Sequence, residues 1–271
     1  MHNENSNVKL AVITGASSGI GAEFARQLAG SHKSMWLIGR REEKLQSLSQ
    51  QLSNDHGVSA RCMVLDLSAV ENINSLADEM GQEESLDMLV NNAGYAEDGE
   101  YHELEWKKHQ DITNVHIYVS MKLAHVALGV MVQNGSGSII NVASVASFIP
   151  TPSSPLYGPT KAFLRSFSES LASIYGDKGI QVQALCPGYT VTDFHEKIGL
   201  DPDEFYKDRG LMRSWSSEYV VRESLRDLKR KKAVSIPGWN YKLVVALLRR
   251  LPLGWIGPMV SSGNKSHRYN K

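Results

Sequence analysis

Apolar and polar positions fall in blocks along the chain that predict strands and helices in turn. Leu10–Thr14 is an apolar run of strand length, followed by a Gly-rich turn and a helix-like stretch near Ile20–Leu28. Met35–Gly39 predicts a second strand, and Glu42–Leu52 a helix with Leu45, Leu48 and Leu52 on one face. Ala60–Leu65 predicts strand three, Val70–Met80 a helix, and Asp87–Asn91 strand four. A long helical region over about Trp106–Val132 leads to strand five at Ser138–Val142, a helix over about Pro155–Tyr175, and strand six at Gln181–Leu185. Short apolar runs bounded by turn residues read as buried strands. Strands alternating with helices predict an α/β fold, one doubly wound parallel sheet with helices on both faces, over residues 1–271 as a single domain.

Beyond strand six the rhythm lapses. Residues 189–216 read as a loop or lid, Ser216–Lys232 as a helix, Ala233–Ile236 as a last strand, and Tyr241–Arg250 as an amphipathic helix. Composition changes little: 42% hydrophobic and 21% charged in 271 residues is an ordinary globular chain able to bury a sizeable core. Cys62 and Cys186 sit in apolar runs without CxxC spacing and read as reduced thiols. Met1–Lys9 is polar and no apolar run reaches about 20 residues, so a cytoplasmic protein is expected. The charge is uneven: residues 222–271 carry twelve Lys and Arg against two Asp and Glu, the rest of the chain seventeen against twenty-seven. With Leu243–Arg250 and Leu251–Val260, the basic segment 238–271 has the composition of a membrane-surface or acyl-carrier contact. Closure of a pocket or a subunit interface is the preferred reading.

The first strand ends in Thr14-Gly15-Ala16-Ser17-Ser18-Gly19-Ile20-Gly21. Gly15 permits a tight turn, Gly19 lets backbone approach a pyrophosphate, and Gly21 lets the helix pack on the sheet. Strand two ends at Gly39, followed by Arg40 and Arg41, with no carboxylate before Glu42. In dinucleotide folds an acidic residue here binds the ribose 2′-hydroxyl, whereas arginine suits a 2′-phosphate. Tyr157 and Lys161 stand at i and i+4, and Ser144 ends strand five. A free tyrosine is a poor base at neutral pH. A nearby ammonium favours its phenolate, and Ser144 can hold a substrate oxygen beside it.

These segments resemble the classical short-chain dehydrogenase/reductase family in order and spacing over about residues 8–192: the TGxxxGxG turn, Asn91-Asn92-Ala93-Gly94, Asn114, Ser144, Tyr157, Lys161, and Pro187-Gly188 with Thr192. The resemblance implies a Rossmann-like fold, an NADP(H) cofactor, and a catalytic set of Ser144, Tyr157, Lys161 and Asn114. Lys161 would also hold the nicotinamide ribose, and Asn114 would support a water-mediated proton relay. The implied cofactor site comprises Gly15, Ser17, Ser18, Gly19, Ile20, Gly21, Arg40, Arg41, Asp66, Asn92, Ala93, Gly94, Tyr157, Lys161, Pro187, Gly188, Thr190 and Thr192. Arg40 is the first choice for the 2′-phosphate and Arg41 the second. Asp66 is an adenine contact by resemblance, or else a plain turn aspartate. Thr192 is a contact of the nicotinamide carboxamide.

Pro159 is the one awkward residue. A helix capped by Ser154 would carry it in the interior at a cost of about 3 kcal/mol, so the helix must start nearer Tyr157 or kink there. His102, His109, His116 and His125 form no metal set with nearby Cys or carboxylates, and no metal is expected. The expected function is hydride transfer between NADP(H) and a hydrophobic carbonyl or secondary alcohol, in a homo-oligomer (dimer or tetramer) without a nucleic-acid partner. Phe194, Phe205, Tyr206, Leu211, Met212 and Trp215 are candidates to line an apolar pocket or to pack the lid. A redox-sensing NADP(H)-binding regulator is the alternative. A sugar-nucleotide epimerase or dehydratase is disfavoured, since those relatives carry a GxxGxxG turn and a larger C-terminal domain.

Overall fold

The computed structural model describes residues 8–97, 99–151, 154–192 and 210–250. The expected pocket residues Phe194, Phe205 and Tyr206, and the apolar stretch 251–260, lie outside them. The strands are β1 (Leu10–Thr14), β2 (Ser34–Gly39), β3 (Ser59–Val64), β4 (Leu86–Asn91), β5 (Gly137–Val142), β6 (Ile180–Leu185), β7 (Thr190–Val191), β8 (Trp215–Ser216) and β9 (Val234–Ser235). Among the described residues, seven of them form one parallel sheet in the order β3-β2-β1-β4-β5-β6-β9. A two-stranded ribbon of β7 and β8 lies apart. This is the expected doubly wound, Rossmann-like α/β fold.

Helices cover both faces. On one side α1 (Gly19–Leu28), α2 (Glu42–His56) and α7 (Ser217–Lys229) bury Phe24, Leu28, Leu45, Leu48, Leu52, Val221 and Leu228 against Ala11, Ile13, Met35 and Leu37. On the other, α3 (Val70–Met80), α5 (Val119–Asn134) and α6 (Tyr157–Tyr175) pack Ile73, Leu76, Leu123, Ala127 and Phe167 on Leu10, Val12, Leu89 and Ile139. β1 thus alternates its side chains between two cores, which is why it reads as one continuous apolar run.

Two predicted helices differ in a useful way. The region over Trp106–Val132 divides into α4 (Trp106–Thr113), a π-helical turn at Asn114–Tyr118, and α5. Together Trp106–Asn134 is long and apolar enough, by length and composition alone, to cross a bilayer. Here it serves as a core helix, with Leu123, Ala124, Ala127 and Met131 fully buried. The helix predicted from Pro155 instead begins at Tyr157. Its first N–H groups are satisfied from outside: Tyr157 N donates to Ser154 O at 3.1 Å, and Gly158 N to Thr151 Oγ1 at 3.0 Å. Pro159 is the third helical residue, where an N–H would have no partner within the helix. It therefore sits without a kink, and Ser154 is not the cap.

Candidate active site

Strand order reverses between β1 and β4, and the crevice at such a switch point, outside the carboxyl ends of the strands, is where doubly wound sheets bind ligands. Two loops meet there. Asn92 donates its side-chain amide to Thr14 O at 3.0 Å and Gly15 O at 3.1 Å, while Thr14 Oγ1 accepts from the backbone N of Asn92 and Ala93. The Asn92 amide nitrogen is thus committed to bracing the Gly-rich turn. Gly15 and Gly19 have φ of +66° and +55°, backbone that glycine favours. A Cβ on Gly21 would stand 2.3 Å from Gly15 O, and one on Gly19 2.9 Å from Thr192 Cγ2. The turn accordingly leaves the start of α1, beside Ile20, open at the backbone. That cradle fits a dinucleotide pyrophosphate.

The two arginines separate. Arg41 Nε and Nη2 both donate to Ser17 Oγ at 3.2 Å, and Nη2 also donates to Ser18 Oγ. Arg40 is exposed, and its charge reaches Asp66. The arginine joined to the cradle is therefore Arg41, the second choice from the sequence. Asp66 Oδ1 accepts from Ser68 N and Ser68 Oγ at 3.0 and 2.9 Å, and these bonds hold its carboxyl below the ordinary range. Asp66 thus makes the bonds of a turn aspartate through Oδ1.

The reactive groups stand at the ends of β5 and α6. Ser144 follows β5, whose end is tied to the end of β6 by Ala143 N to Leu185 O at 2.7 Å and Val145 N to Pro187 O at 2.9 Å. The Ser144 side chain hydrogen-bonds Tyr157, which favours the phenolate. Dense packing opposes this more strongly and raises the Tyr157 phenol above its ordinary value, although part of the residue remains open to the crevice. Lys161 is buried, donates from Nζ to Val142 O at 2.8 Å, and lies 5.7 Å from the centre of the Tyr157 ring. Burial pushes its ammonium down to about 8. From sequence the charge of Lys161 is the influence expected on Tyr157; in the structure desolvation dominates at both groups.

Asn114 opens the π-turn, and its side chain donates to Ser68 O at 2.9 Å, tying the loop after β3 to this segment. Of the later positions, Thr190 is buried and donates to Gly188 O at 3.0 Å, and Thr192 packs on Gly19. Gly188 meets a different neighbour: a Cβ there would fall 2.1 Å from the ring of Tyr241 on α8 (Trp239–Leu248), and Tyr189 N donates to Tyr241 Oη at 3.0 Å. α8 is thereby docked beside the site, through contacts that its apolar periodicity does not specify. Trp215 donates to Asn240 Oδ1 at 3.0 Å and serves this docking, whereas Leu211 and Met212 are exposed.

The histidines divide. His102 and His125 are exposed, and His109 stacks on Tyr101. Glu100, His102 and Glu103 bring ligand atoms within 4.8 Å of one another at the surface, an arrangement common among exposed acidic groups without an ion. His116 is fully buried against Tyr157, Lys161 and Gly94, a place its sequence context did not reveal.

Comparison with known proteins agrees with this geometry. The family model for short chain dehydrogenase matches residues 9–203. The human protein named inactive hydroxysteroid dehydrogenase-like protein 1 is 35% identical over 184 residues, covering 67% of this chain and 56% of the relative. The chain therefore matches little more than half the length of that relative. Among solved structures, a short-chain dehydrogenase from Sphingobium yanoikuyae in complex with NADPH superposes with a TM-score of 0.79 at 25% identity, over 97% of both chains. L-Sorbose reductase from Gluconobacter frateurii, complexed with NADPH and L-sorbose, gives a TM-score of 0.68 at 27% identity, over 80% of this chain and 88% of the other. On the match over residues 9–203, the chain belongs to the short-chain dehydrogenase family.

Proposed function

We propose that this protein is an NADP(H)-dependent oxidoreductase acting on a hydrophobic carbonyl or secondary alcohol, which it reduces in the cell. The observation that carries the reading is the stack of Ser144, Tyr157 and buried Lys161 at the mouth of the glycine cradle. NADP(H), when bound, supplies or accepts the hydride. The residues that would hold it are Gly15, Gly19 and Gly21 with the N-terminus of α1 for the pyrophosphate, Arg41 with Ser17 and Ser18 for the 2′-phosphate, and Thr190 and Thr192 at the nicotinamide end. The NADPH named with the Sphingobium and Gluconobacter structures supports that choice.

The chain's own groups then divide the proton chemistry. Ser144 donates a hydrogen bond to the substrate oxygen and holds it beside the Tyr157 hydroxyl. Tyr157 gives its proton to that oxygen in reduction and takes it back in oxidation. A phenol raised by burial stays protonated at neutral pH and so carries the proton that reduction consumes, while acting as a base in oxidation needs the help of Ser144 and Lys161. Lys161 holds a positive charge near the phenolate left behind.

A homo-oligomer is supported by exposed apolar residues on the outer helices, Met121 and Val132 on α5 and Ile174 on α6. A reducing, cytoplasmic setting is supported by the free thiols Cys62 and Cys186. The second reading, an NADP(H)-binding protein without turnover, is favoured by the word "inactive" in the name of the human relative. NADPH consumption across a panel of aldehydes and ketones separates the two. In wild type a subset of ketones should be reduced. Tyr157→Phe should lose about 10²- to 10⁴-fold in turnover while still binding NADPH. Turnover of Tyr157→Phe within about tenfold of wild type would remove the acid/base assignment.

A further inference from the structure

His116 lies in the middle of the π-turn, fully buried, behind the reactive pair. Its Nε2 accepts the backbone N–H of Tyr95 at 3.1 Å, so that nitrogen carries no proton. The proton is therefore on Nδ1, which donates to Thr160 Oγ1 at 2.7 Å. Thr160 Oγ1 in turn donates to Tyr157 O at 2.9 Å. The imidazole also meets the Tyr157 ring edge-on, with centroids 6.0 Å apart and planes at 72°.

The ring thus bridges the loop after β4 and the first turn of α6, and each of its two nitrogens is used. An ordinary α-helical turn would aim residue 116 elsewhere, and π-turns recur at functional sites because they re-aim side chains in this way. Gly94 completes the fit. A Cβ there would stand 2.9 Å from His116 Nε2 and 3.3 Å from Lys161 Nζ, so only glycine lets the imidazole and the ammonium close around this point. The titratable groups that face the ring are Tyr157 and Lys161 from α6 and Tyr95 from the loop after β4. Burial and the Lys161 charge both hold the imidazole neutral, as its acceptor role demands.

We propose that His116 is a positioning residue: through the relay Tyr95 N–His116–Thr160–Tyr157 O, it sets where the Tyr157 phenol stands relative to Lys161 and Ser144. The proposal rests on the functional reading only in taking Tyr157 as the proton-transfer group. A phenol misplaced by about 1 Å loses on the order of 10²-fold in rate.

The test compares His116→Phe, which keeps a flat ring but neither hydrogen bond, with His116→Asn, whose amide nitrogen falls near the place of Nδ1. His116→Phe should lower kcat about 10- to 100-fold, with the NADPH KM within about twofold of wild type, since the pyrophosphate turn and the arginine on it lie elsewhere. His116→Asn should recover most of kcat. A second readout needs no substrate: the tyrosine ¹³Cζ resonance that disappears in Tyr157→Phe should shift, and titrate at a different pH, in His116→Phe but not in His116→Asn. If His116→Phe merely lowers Tm, with kcat and the Tyr157 resonance unchanged, His116 is core packing and the proposal is overturned. Equal loss of kcat in both variants with an unmoved resonance overturns it as well. Should His116→Phe fail to fold, Thr160→Val against Thr160→Ser breaks and restores the same relay, with the same expectations. A wild type that reduces no carbonyl defeats the functional reading, and the Tyr157 resonance still decides the role of His116.

Discussion

Replacing Lys161 by methionine should destroy turnover and yet leave the fold as stable as before or more so. The ammonium is buried, and its pKa is pushed from 10.5 down to about 8. Below pH 8 both folded and unfolded chains carry the proton, and the folded state bears the full penalty. Between 8 and 10.5 only the unfolded chain keeps it, so this group makes the folded state more stable as pH rises. At about 1.4 kcal/mol per pKa unit, the penalty at pH 7 is on the order of 3 kcal/mol. Methionine fills similar space without charge but leaves Val142 O, now 2.8 Å from Nζ, without its donor. That loss costs about 1–3 kcal/mol. The net change at pH 7 is therefore between zero and about 2 kcal/mol in favour of the variant. Urea unfolding of both proteins at pH 7 and pH 9.5 isolates the lysine, because other titrating groups cancel in the difference. The gap should move toward the wild type by about 2 kcal/mol between those two values. A variant destabilised by more than about 2 kcal/mol at pH 7, with a gap independent of pH, would refute the claim that burial depresses this lysine.

Two further outcomes follow from contacts around the crevice. Arg41→Ala should lower the catalytic efficiency with NADPH by about 10- to 100-fold, the worth of one charge-assisted bond, and leave NADH almost unaffected; a larger effect from Arg40→Ala in the same assay would restore the order drawn from the sequence. Gly188→Ala should collide with the Tyr241 ring and lower stability by about 1–3 kcal/mol, seen as a lower Tm; a Tm equal to wild type would mean that α8 is not docked through Gly188.

Much of this is legible in the sequence because local rules and tertiary structure agree. β1, the Gly-rich turn and α3 fall where periodicity and glycine spacing place them, since buried parallel strands must be apolar on both faces. Tyr157 and Lys161 fall on one face because i, i+4 spacing along α6 is set by helix geometry, whereas their roles and that of Ser144, at the end of β5, are implied by the family resemblance. What escapes depends on contacts between segments distant in sequence. Arg40 and Arg41 are adjacent, and only the direction in which the chain leaves β2 decides which one reaches Ser17. Nothing local marks Asn92 as a brace for Gly15, 77 residues away. A regular helix through Asn114–Tyr118 makes His116 an ordinary histidine, whereas the π-turn changes which residues face inward.

Turnover is supported most strongly by what the site costs. A protein that only bound NADP(H) would need the cradle, the serines and an arginine. Holding the nicotinamide ribose would call for a donor at position 161, but not for a tyrosine above it with a serine on the phenol. A neutral donor such as glutamine would serve the ribose without the penalty of a buried charge. A strongly shifted lysine in a crevice beside a second titratable group is the arrangement that proton-transfer sites share. The two readings therefore diverge on one variant. In a non-catalytic binder the wild type reduces no ketone, and Lys161→Met should be a stabilising change that costs at most the bond to the nicotinamide ribose. In a reductase it should be stabilising or neutral and without turnover. Isothermal titration with NADPH beside the ketone assay separates them. Unchanged ketone reduction by Lys161→Met would count against the mechanism, and equally against proton transfer as the reason for the buried charge.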